Sequence, residues 1–281
     1  MGSTFRPRRA VLALVAASVL ALSAGFTTQA WATPLAHGDV VHIVKPGLRA
    51  HTNQSNNWFG YNQGTLEQGG TQFHSITGDW TVPTASQHTS GSDEASSDWI
   101  GIGGGCIDAN CTVGDNTLIQ TGTEQDVSSG KASYSAWWEI IPAPSITINN
   151  MTVGPGDHMH ADISETVSGA DVWKITLQDV TRNESFTTTV PYASTHATAE
   201  WIEETPLEIG TNAGLAPLPN LSNTAFDFAT VNGAPVALKP SEEIQLVDSN
   251  GKVIGAPSGP DSDVDGFGLC AWATTCAVPS S

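Results

Sequence analysis

The chain alternates short strand-like runs with clusters of turn-forming residues, and no stretch sustains a helical period of apolar residues for long. From Asn57 onward, Thr, Val, Ile, Ser and Trp recur in runs of five to eight residues. The clusters between the runs are Gly69-Gly70, Gly103-Gly104-Gly105, Ser128-Ser129-Gly130, Gly154-Pro155-Gly156 and Ser249-Asn250-Gly251. Short strands separated by regular turn signals are typical of an all-β sandwich or barrel.

The first 32 residues have the pattern of a secretory signal peptide. Three arginines precede an apolar run from Ala10 to about Ala24, and Ala30-Trp31-Ala32 provides a small-x-small cleavage signature. We therefore predict a signal peptide over 1–32 and a secreted, extracellular protein that does not contact a membrane after cleavage. A signal anchor that stays attached is the alternative, and Arg8-Arg9 leaves a twin-arginine export route open. Residues 33–52 lack clear periodicity and are predicted to be a short propeptide or N-terminal arm.

The charge balance of the remaining chain excludes some partners. After residue 32 there are 7 basic and 28 acidic residues, which gives a formal net charge of −21. Such a surface repels nucleic acid and anionic membranes, so we expect neither as a partner. Few lysines and arginines also mean little positive self-repulsion once the carboxylates are protonated, which suits a protein that works in acid. Simple solubility explains the same composition equally well.

Four cysteines are present, namely Cys106, Cys111, Cys270 and Cys276. An even count in an exported chain indicates disulfides. Close spacing favours the pairs Cys106–Cys111 and Cys270–Cys276, but three connectivities are possible and the sequence does not choose among them. The spacing does not favour a zinc site.

Polar side chains and tryptophans recur at alternate positions of four predicted strands. Successive side chains of a strand point to opposite faces, so residues two or four apart share a face. The sets that share a face are Trp99 with Gly101, Gln120 with Glu124, Trp137 with Glu139, and Glu200 with Glu204, whereas Glu203 is expected to point away into solvent. Grouped carboxylates are costly to bury and raise each other's pKa, so a functional cleft would explain them. A solvated sheet face is the alternative.

Six motifs in this order resemble those of the glutamic peptidases, also called eqolisins, and suggest a secreted, bacterial-type member. They are Asn57-Trp58-Phe59-Gly60-Tyr61, Trp80-Thr81-Val82-Pro83, Trp99-Ile100-Gly101-Ile102, Leu118-Ile119-Gln120-Thr121-Gly122, Ala136-Trp137-Trp138-Glu139 followed by Pro142, and Ala199-Glu200-Trp201-Ile202-Glu203-Glu204. No single motif is decisive, but six in the correct order are a much stronger signal.

The resemblance implies a two-sheet antiparallel β-sandwich of the lectin-like (concanavalin A) type, with a single catalytic domain over 53–281. It implies an acid endopeptidase in which Glu204 is the general base on a water molecule and the Gln120 amide stabilises the oxyanion. It requires no metal or other cofactor and no covalent intermediate. Polypeptides are the expected substrates, and we expect a monomer.

Further residues match positions that line or support the site of this family. Glu139 and Glu124 are interpreted as groups that support the site or tune pKa values, and Glu200 as another supporting group. Trp99 and Trp137 are interpreted as cleft walls that bind substrate, although a tryptophan can equally belong to the core.

The chain departs from the family pattern at two places. Gly103 stands where the family usually carries an acid, which removes one carboxylate near the site. Ile140 and Ile141 replace an aromatic pair after the strand glutamate, so a tyrosine that faces substrate is missing and side-chain preference is expected to differ.

Other interpretations remain open at this point. A lectin-like module without catalysis fits the nine tryptophans. A glycosidase that uses Glu139 and Glu204 as paired carboxylates is a second alternative, but Gln120 would have no role in its mechanism. His158 and His160 share a strand face and could bind a metal with a nearby aspartate, although a surface pair is the simpler interpretation.

Overall fold

The computed structural model describes Gly2, Val40–Val41, Arg49–His51, and residues 53–108, 110–208 and 214–280. The predicted signal peptide, apart from Gly2, and most of the predicted arm therefore lie outside the described residues. The chain divides into two units, Met1–Pro34 and Leu35–Ser281, and every described strand belongs to the second. Within the described residues, no helix has the length and apolar character needed to cross a membrane.

The first half of the fold consists of eleven described strands, of which the first three precede the strand-like runs that begin at Asn57. They are β1 (Val40–Val41), β2 (Arg49–His51), β3 (Gln54–Ser55), β4 (Trp58–Gly64), β5 (Ser75–Thr81), β6 (Ala85–Ser86), β7 (Glu94–Gly103), β8 (Leu118–Ser128), β9 (Lys131–Ile140), β10 (Ile146–Thr147) and β11 (His158–Glu165).

The second half repeats this pattern and adds one short 3-10 turn, Pro240–Glu242. Its strands are β12 (Val172–Asp179), β13 (Glu184–Pro191), β14 (Thr198–Glu204), β15 (Leu207–Glu208), β16 (Gly214–Leu215), β17 (Asn220–Leu221), β18 (Thr224–Val231), β19 (Ala234–Pro235), β20 (Glu243–Val247), β21 (Val253–Pro257) and β22 (Phe267–Ala271).

Two large sheets contain most of these strands. The front sheet has the order β10-β9-β8-β7-β14-β4-β20, and all of its pairs are antiparallel. The back sheet has the order β13-β12-β11-β5-β18-β22-β21-β20-β3-β2, in which only the short β20–β3 pair is parallel. Strand β20 pairs into both sheets and so closes one edge of the sandwich. The predicted two-sheet β-sandwich is confirmed.

The main hydrophobic core lies between the sheets. Apolar residues of the front sheet such as Phe59, Ile100 and Trp201 pack with residues of the back sheet such as Trp80 and Ile163, all of them fully buried or nearly so. Two indole hydrogen bonds join the front sheet to the back sheet. Trp201 Nε1 donates to the Thr77 carbonyl at 2.8 Å, and Trp80 Nε1 donates to Thr123 Oγ1 at 2.9 Å. We call the side of the front sheet that meets this core the core face.

Turn chemistry fixes the register of the hairpin β8–β9, which carries two of the predicted site residues. Ser129 and Gly130 form its two-residue loop with φ values of 52° and 73°, and Ser128 pairs with Lys131. Two positive φ angles in a two-residue loop match the twist of a tight hairpin and favour glycine. The loop thereby sets Gln120 directly opposite Glu139.

The structure contains both of the disulfides that close spacing favours. Cys106–Cys111 closes the loop between β7 and β8, with a Cα–Cα distance of 4.9 Å. Cys270–Cys276 joins β22 to the segment that follows it, with a Cα–Cα distance of 5.3 Å.

Candidate active site

The strand register brings the predicted site residues into two rows across the front sheet. In the first row Glu139 is opposite Gln120, which is opposite Gly101, which is opposite Glu200. In the second row Ser135, Glu124, Ser97 and Glu204 follow one another in the same way. The rows lie four residues apart on each strand, so both are on one face of the sheet. We call this face, which is opposite the core face, the site face.

Glu204 is fully buried, and each of its carboxylate oxygens accepts a hydrogen bond. Asn57 Nδ2 donates to Oε1 at 3.1 Å, and Trp99 Nε1 donates to Oε2 at 3.0 Å. Ser55 Oγ donates to Asn57 Oδ1 at 2.8 Å, which orients the amide with its NH₂ toward the carboxylate. These two hydrogen bonds hold the Glu204 carboxyl group in one orientation.

Gln120 is fully buried beside Glu139. Its Nε2 donates to Glu139 Oε2 at 2.6 Å, while no described group hydrogen-bonds to Gln120 Oε1 or Glu139 Oε1. Burial raises the pKa of Glu139 well above its usual value, and the negative charges of Glu204 and Glu124 raise it further, against the opposing hydrogen bond from Gln120. Glu139 is therefore a neutral acid under acidic conditions, next to the Gln120 amide on the site face.

An apolar cluster separate from the main core surrounds these groups. It consists of Trp58, Trp99, Leu118, Trp137, Ile202 and Ile244. Trp58 and Trp99 meet edge to face, with ring centroids 4.9 Å apart and an interplanar angle of 73°. Trp137 Nε1 donates to Ser97 Oγ at 3.0 Å, and Ser97 Oγ donates to the Thr123 carbonyl at 2.7 Å. The tryptophans thus give the carboxyl groups apolar surroundings of low dielectric constant, and their indole NH groups are held in place as hydrogen-bond donors.

The other two predicted carboxylates flank the pair at different points. Burial raises the pKa of Glu124 to about 7, and the charge of Glu208 adds to the shift. Burial likewise raises the pKa of Glu200 well above its usual value. Glu200 lies four residues before Glu204 on the same strand and face, next to Asn62 and the loop at Gly105. The structure therefore places Glu124 in the row of Glu204, and Glu200 in the row of Gln120.

Glu203 is not solvated, which corrects the expectation from the sequence. It lies opposite Asp98 on the core face, and both residues have no exposed surface. Their contact leaves at least one proton between two carboxyls, because two charged carboxylates repel. Burial raises the pKa of Asp98 to about 6, and burial and Asp98 raise the pKa of Glu203 well above its usual value. Strand alternation correctly predicts the opposite side, but that side is the sandwich interior and not water.

The glycine that replaces the family acid has a steric reason. Gly103 has a φ of +97°, and a Cβ at this position would overlap the carbonyl oxygen of Thr117. No ordinary side chain fits there without movement of the backbone. An acidic side chain is therefore excluded at position 103, because the backbone of the β7–β8 connection passes too close to it.

The histidine pair lies on the outer side of the back sheet, away from the site face. His158 Nε2 lies 2.8 Å from Asp79 Oδ2 and His160 Nδ1 lies 2.5 Å from Asp79 Oδ1. The hydrogen bond to Asp79 raises the pKa of His160. This is the surface arrangement that the sequence favoured.

Sequence reasoning did not identify two residues that contribute hydrogen bonds at the site, Asn57 and Ser97. Asn57 could have been found from its Asn-Trp-x-Gly-Tyr motif, whereas no sequence signal marks Ser97.

Comparisons with known proteins place the chain in one family. The model of the Peptidase A4 family matches residues 56–264. Aspergillopepsin-2 from Aspergillus niger is 23% identical over 243 residues, which cover 79% of this chain and 80% of that protein.

Solved structures share the fold at low identity. A scytalido-glutamic peptidase crystallised with a transition state analog inhibitor has a TM-score of 0.59 at 18% identity, covering 77% of this chain and 98% of that chain. SCP-B, a member of the eqolisin family in a complex with the tripeptide Ala-Ile-His, has a TM-score of 0.54 at 18% identity with the same coverage. Since the family model spans well over half of the residues, the chain belongs to the peptidase A4 (glutamic peptidase) family of peptide hydrolases.

Proposed function

We propose that the protein is a secreted acid endopeptidase in which Glu204 acts as general base and Gln120 as oxyanion stabiliser. One observation carries the proposal: a buried carboxyl group with two neutral donors and a buried amide hydrogen-bonded to a neutral acid lie on the same face of one sheet, in rows four residues apart. A carboxylate that can take a proton and an amide that donates a hydrogen bond are the two groups that water attack on a peptide bond needs.

The proposed reaction proceeds in two proton transfers. Glu204 removes a proton from a water molecule while the water oxygen attacks the carbonyl carbon of the scissile bond. The carbonyl oxygen becomes an oxyanion, which accepts a hydrogen bond from Gln120 Nε2. Glu204 then gives its proton to the leaving nitrogen as the carbon–nitrogen bond breaks, which releases an amine and a carboxylic acid and restores the carboxylate.

Glu139 positions the amide in this scheme. Its Oε2 accepts one of the two Nε2 hydrogens of Gln120, which leaves the other hydrogen for the oxyanion. Because burial keeps Glu139 protonated in acid, it adds no negative charge beside the developing oxyanion. At higher pH its ionisation would oppose that charge, which supports an acidic working range.

Polypeptides are the proposed substrates, and Trp99 and Trp137 are proposed to form walls of the binding site together with the supporting carboxylates Glu124 and Glu200. The match to the Peptidase A4 family and the tripeptide in the complex with SCP-B support this choice. We propose that no metal or other cofactor takes part and that the protein acts as a monomer.

Residues 33–52 are proposed to be a propeptide that blocks the site until it is removed, after a signal peptide has directed the chain to the outside. Gln120, Glu139 and Glu204 have no exposed surface, so a substrate can reach them only after a covering segment moves. The backbone of β1, inside this arm, pairs with β15, which begins three residues after Glu204. Deleting 33–52 should therefore raise the initial rate of proteolysis, and equal initial rates with and without the arm would contradict the proposal.

The function is tested by digestion of a denatured protein across the acid range with the processed wild type and Glu204→Gln. We expect the wild type to produce internal fragments, with no loss on adding a chelator or a serine-directed reagent, and the variant to be inactive while its thermal unfolding stays cooperative. Cleavage of a β-glucan in place of the protein would indicate the glycosidase. Absence of both activities in a folded wild type from which the arm has been removed would indicate a binding module.

A further inference from the structure

The connection between β21 and β22 contains a motif that the peptidase activity does not use. It reads Asp261-Ser262-Asp263-Val264-Asp265-Gly266. Aspartates at the first, third and fifth positions followed by glycine are the spacing of calcium-binding loops, in which alternate side chains converge on one ion and glycine permits the sharp turn. The glutamate that completes an EF-hand loop is absent, since position 272 is a tryptophan.

A carboxylate from another strand stands near the loop. Asp227 on β18 joins Asp261 and Asp265, and one oxygen of each lies within 4.8 Å of the others. Gly266 lines the same space: a Cβ there would lie 2.5 Å from Asp261 Oδ2 and 3.0 Å from Asp227 Oδ1. A side chain at this position would therefore meet both carboxylates and the carbonyl oxygen of Phe226, which lies 2.9 Å from the same Cβ position.

Two carboxylate oxygens in this cluster lack a hydrogen-bond partner among the described groups, whereas Asp261 Oδ1 accepts from Gly266 N and Asp227 Oδ1 accepts from Phe228 N. Asp261 is only 6% exposed, and its Oδ2 accepts no hydrogen bond from any described group; the same holds for the buried Oδ1 of Asp265. Across the parts of the chain that the structure describes, no lysine, arginine or histidine forms an ion pair with Asp227, Asp261 or Asp265. The cluster thus has uncompensated negative charge.

We propose that Asp227, Asp261 and Asp265 bind a calcium ion, with Asp263 at the exposed rim of the same loop. Carboxylate oxygens are the ligands that hard cations prefer, and Ca²⁺ accepts six to eight oxygens in flexible geometry, so water and backbone carbonyls can complete its shell. Zinc and copper are disfavoured because the cluster offers neither nitrogen nor sulfur. The site joins the β21–β22 connection to β18 within the back sheet, so the ion stabilises the sandwich and takes no part in peptide hydrolysis.

Calcium binding is tested on the processed protein after treatment with a chelator and dialysis near neutral pH. Titration with CaCl₂ should release or absorb measurable heat with about one ion bound per chain, and a hundredfold excess over Kd should raise Tm by roughly 5–10 °C. MgCl₂ at the same concentration should give a smaller shift, because Mg²⁺ demands stricter geometry and sheds water reluctantly.

Two variants and a matched control make the result specific. Asp261→Asn and Asp265→Asn should fold without calcium, since each removes a repelling charge, and should lose the calcium response. Asp93→Asn, the same chemical change at an exposed position outside the cluster, should keep it. No calcium response in the wild type, or a response that survives in both variants, would overturn the proposal. Protease activity in acid does not enter this test, so its outcome is independent of the proposed function.

Discussion

Glu203 and Glu204 are neighbours in the chain but lie on opposite faces of the front sheet. Glu204 on the site face receives two hydrogen bonds from neutral donors, Asn57 and Trp99. Glu203 on the core face meets another carboxyl, Asp98, which receives one amide hydrogen bond from Gln125 at 2.9 Å. The same type of side chain is therefore held in two different ways: Glu204 by an amide and an indole donor, and Glu203 beside a second acid, where burial raises its pKa.

The difference shows how one protein can depend on acid in two ways. On the site face, acid keeps Glu139 neutral beside Gln120 while Glu204 keeps its donors. On the core face, acid keeps a proton within a buried acid pair that has no described cationic partner. Changes on the site face should alter turnover, and changes on the core face should alter the pH dependence of stability.

The largest expected effect separates the two neighbouring glutamates. Near pH 4, Glu204→Gln should lower kcat by roughly 10²–10⁴-fold, because the general base is lost. Glu203→Gln should stay close to the wild-type rate, because an amide replaces a carboxyl that is already neutral. Steady-state kinetics on a peptide substrate measures both, and a similar loss in the two variants would break the comparison.

The second largest effect is expected from a comparison of two glutamines on β8, Gln120 on the site face and Gln125 on the core face. Gln120→Ala should lower kcat by about 10²–10³-fold with a smaller change in KM, as expected when one oxyanion donor is removed. Gln125→Ala removes the same amide from the core face, where Nε2 binds Asp98, and should lower Tm while leaving kcat nearly intact. The opposite pattern would mean that the faces have been assigned the wrong roles.

The acid pair predicts how stability changes with pH. The pKa of Asp98 is about 6 in the folded protein against 3.8 for the free side chain, so the folded state binds more protons between these values. The contribution of Asp98 to stability should therefore be largest below pH 4 and fall by roughly 3 kcal/mol as pH rises through about 6. Asp98→Asn should reduce that fall.

Denaturant unfolding at pH 4 and 7, with a chelator present, measures this dependence. The exposed Asp93→Asn serves as control and should leave the fall unchanged. Raised pKa values at Glu139, Glu124 and Glu200 act in the same direction, so part of the dependence should remain in Asp98→Asn. A curve identical to the wild type would show that the pair does not control stability.

The smallest effect concerns two indole donors. Trp99→Phe removes the hydrogen bond to Glu204 and should lower kcat/KM by about tenfold, since a hydrogen bond to a charged group contributes about 1.5 kcal/mol or more. Trp201→Phe removes the bond to the Thr77 carbonyl on the core face and should cost about 1 kcal/mol of stability with little effect on rate. Equal kinetic effects would argue against a special role for the Trp99 donor.

The order of the motifs and the alternation along each strand were sufficient to predict the sandwich and to place Gln120, Glu139 and Glu204 on one face. They failed for Glu203, because alternation tells which residues share a face but not what that face meets. They also gave no account of Gly103, whose constraint is the carbonyl of Thr117 fourteen positions later.

By itself, the sequence determined the strands and the sides on which their residues lie, because backbone geometry sets a period of two and turn residues set where each strand ends. Only the tertiary structure decided which carboxyls gain donors, which share a proton, and that Asp227 meets a loop more than thirty positions away. Those outcomes depend on pairing between distant strands, and the pKa of a buried acid depends on neighbours that the chain brings together only when it folds.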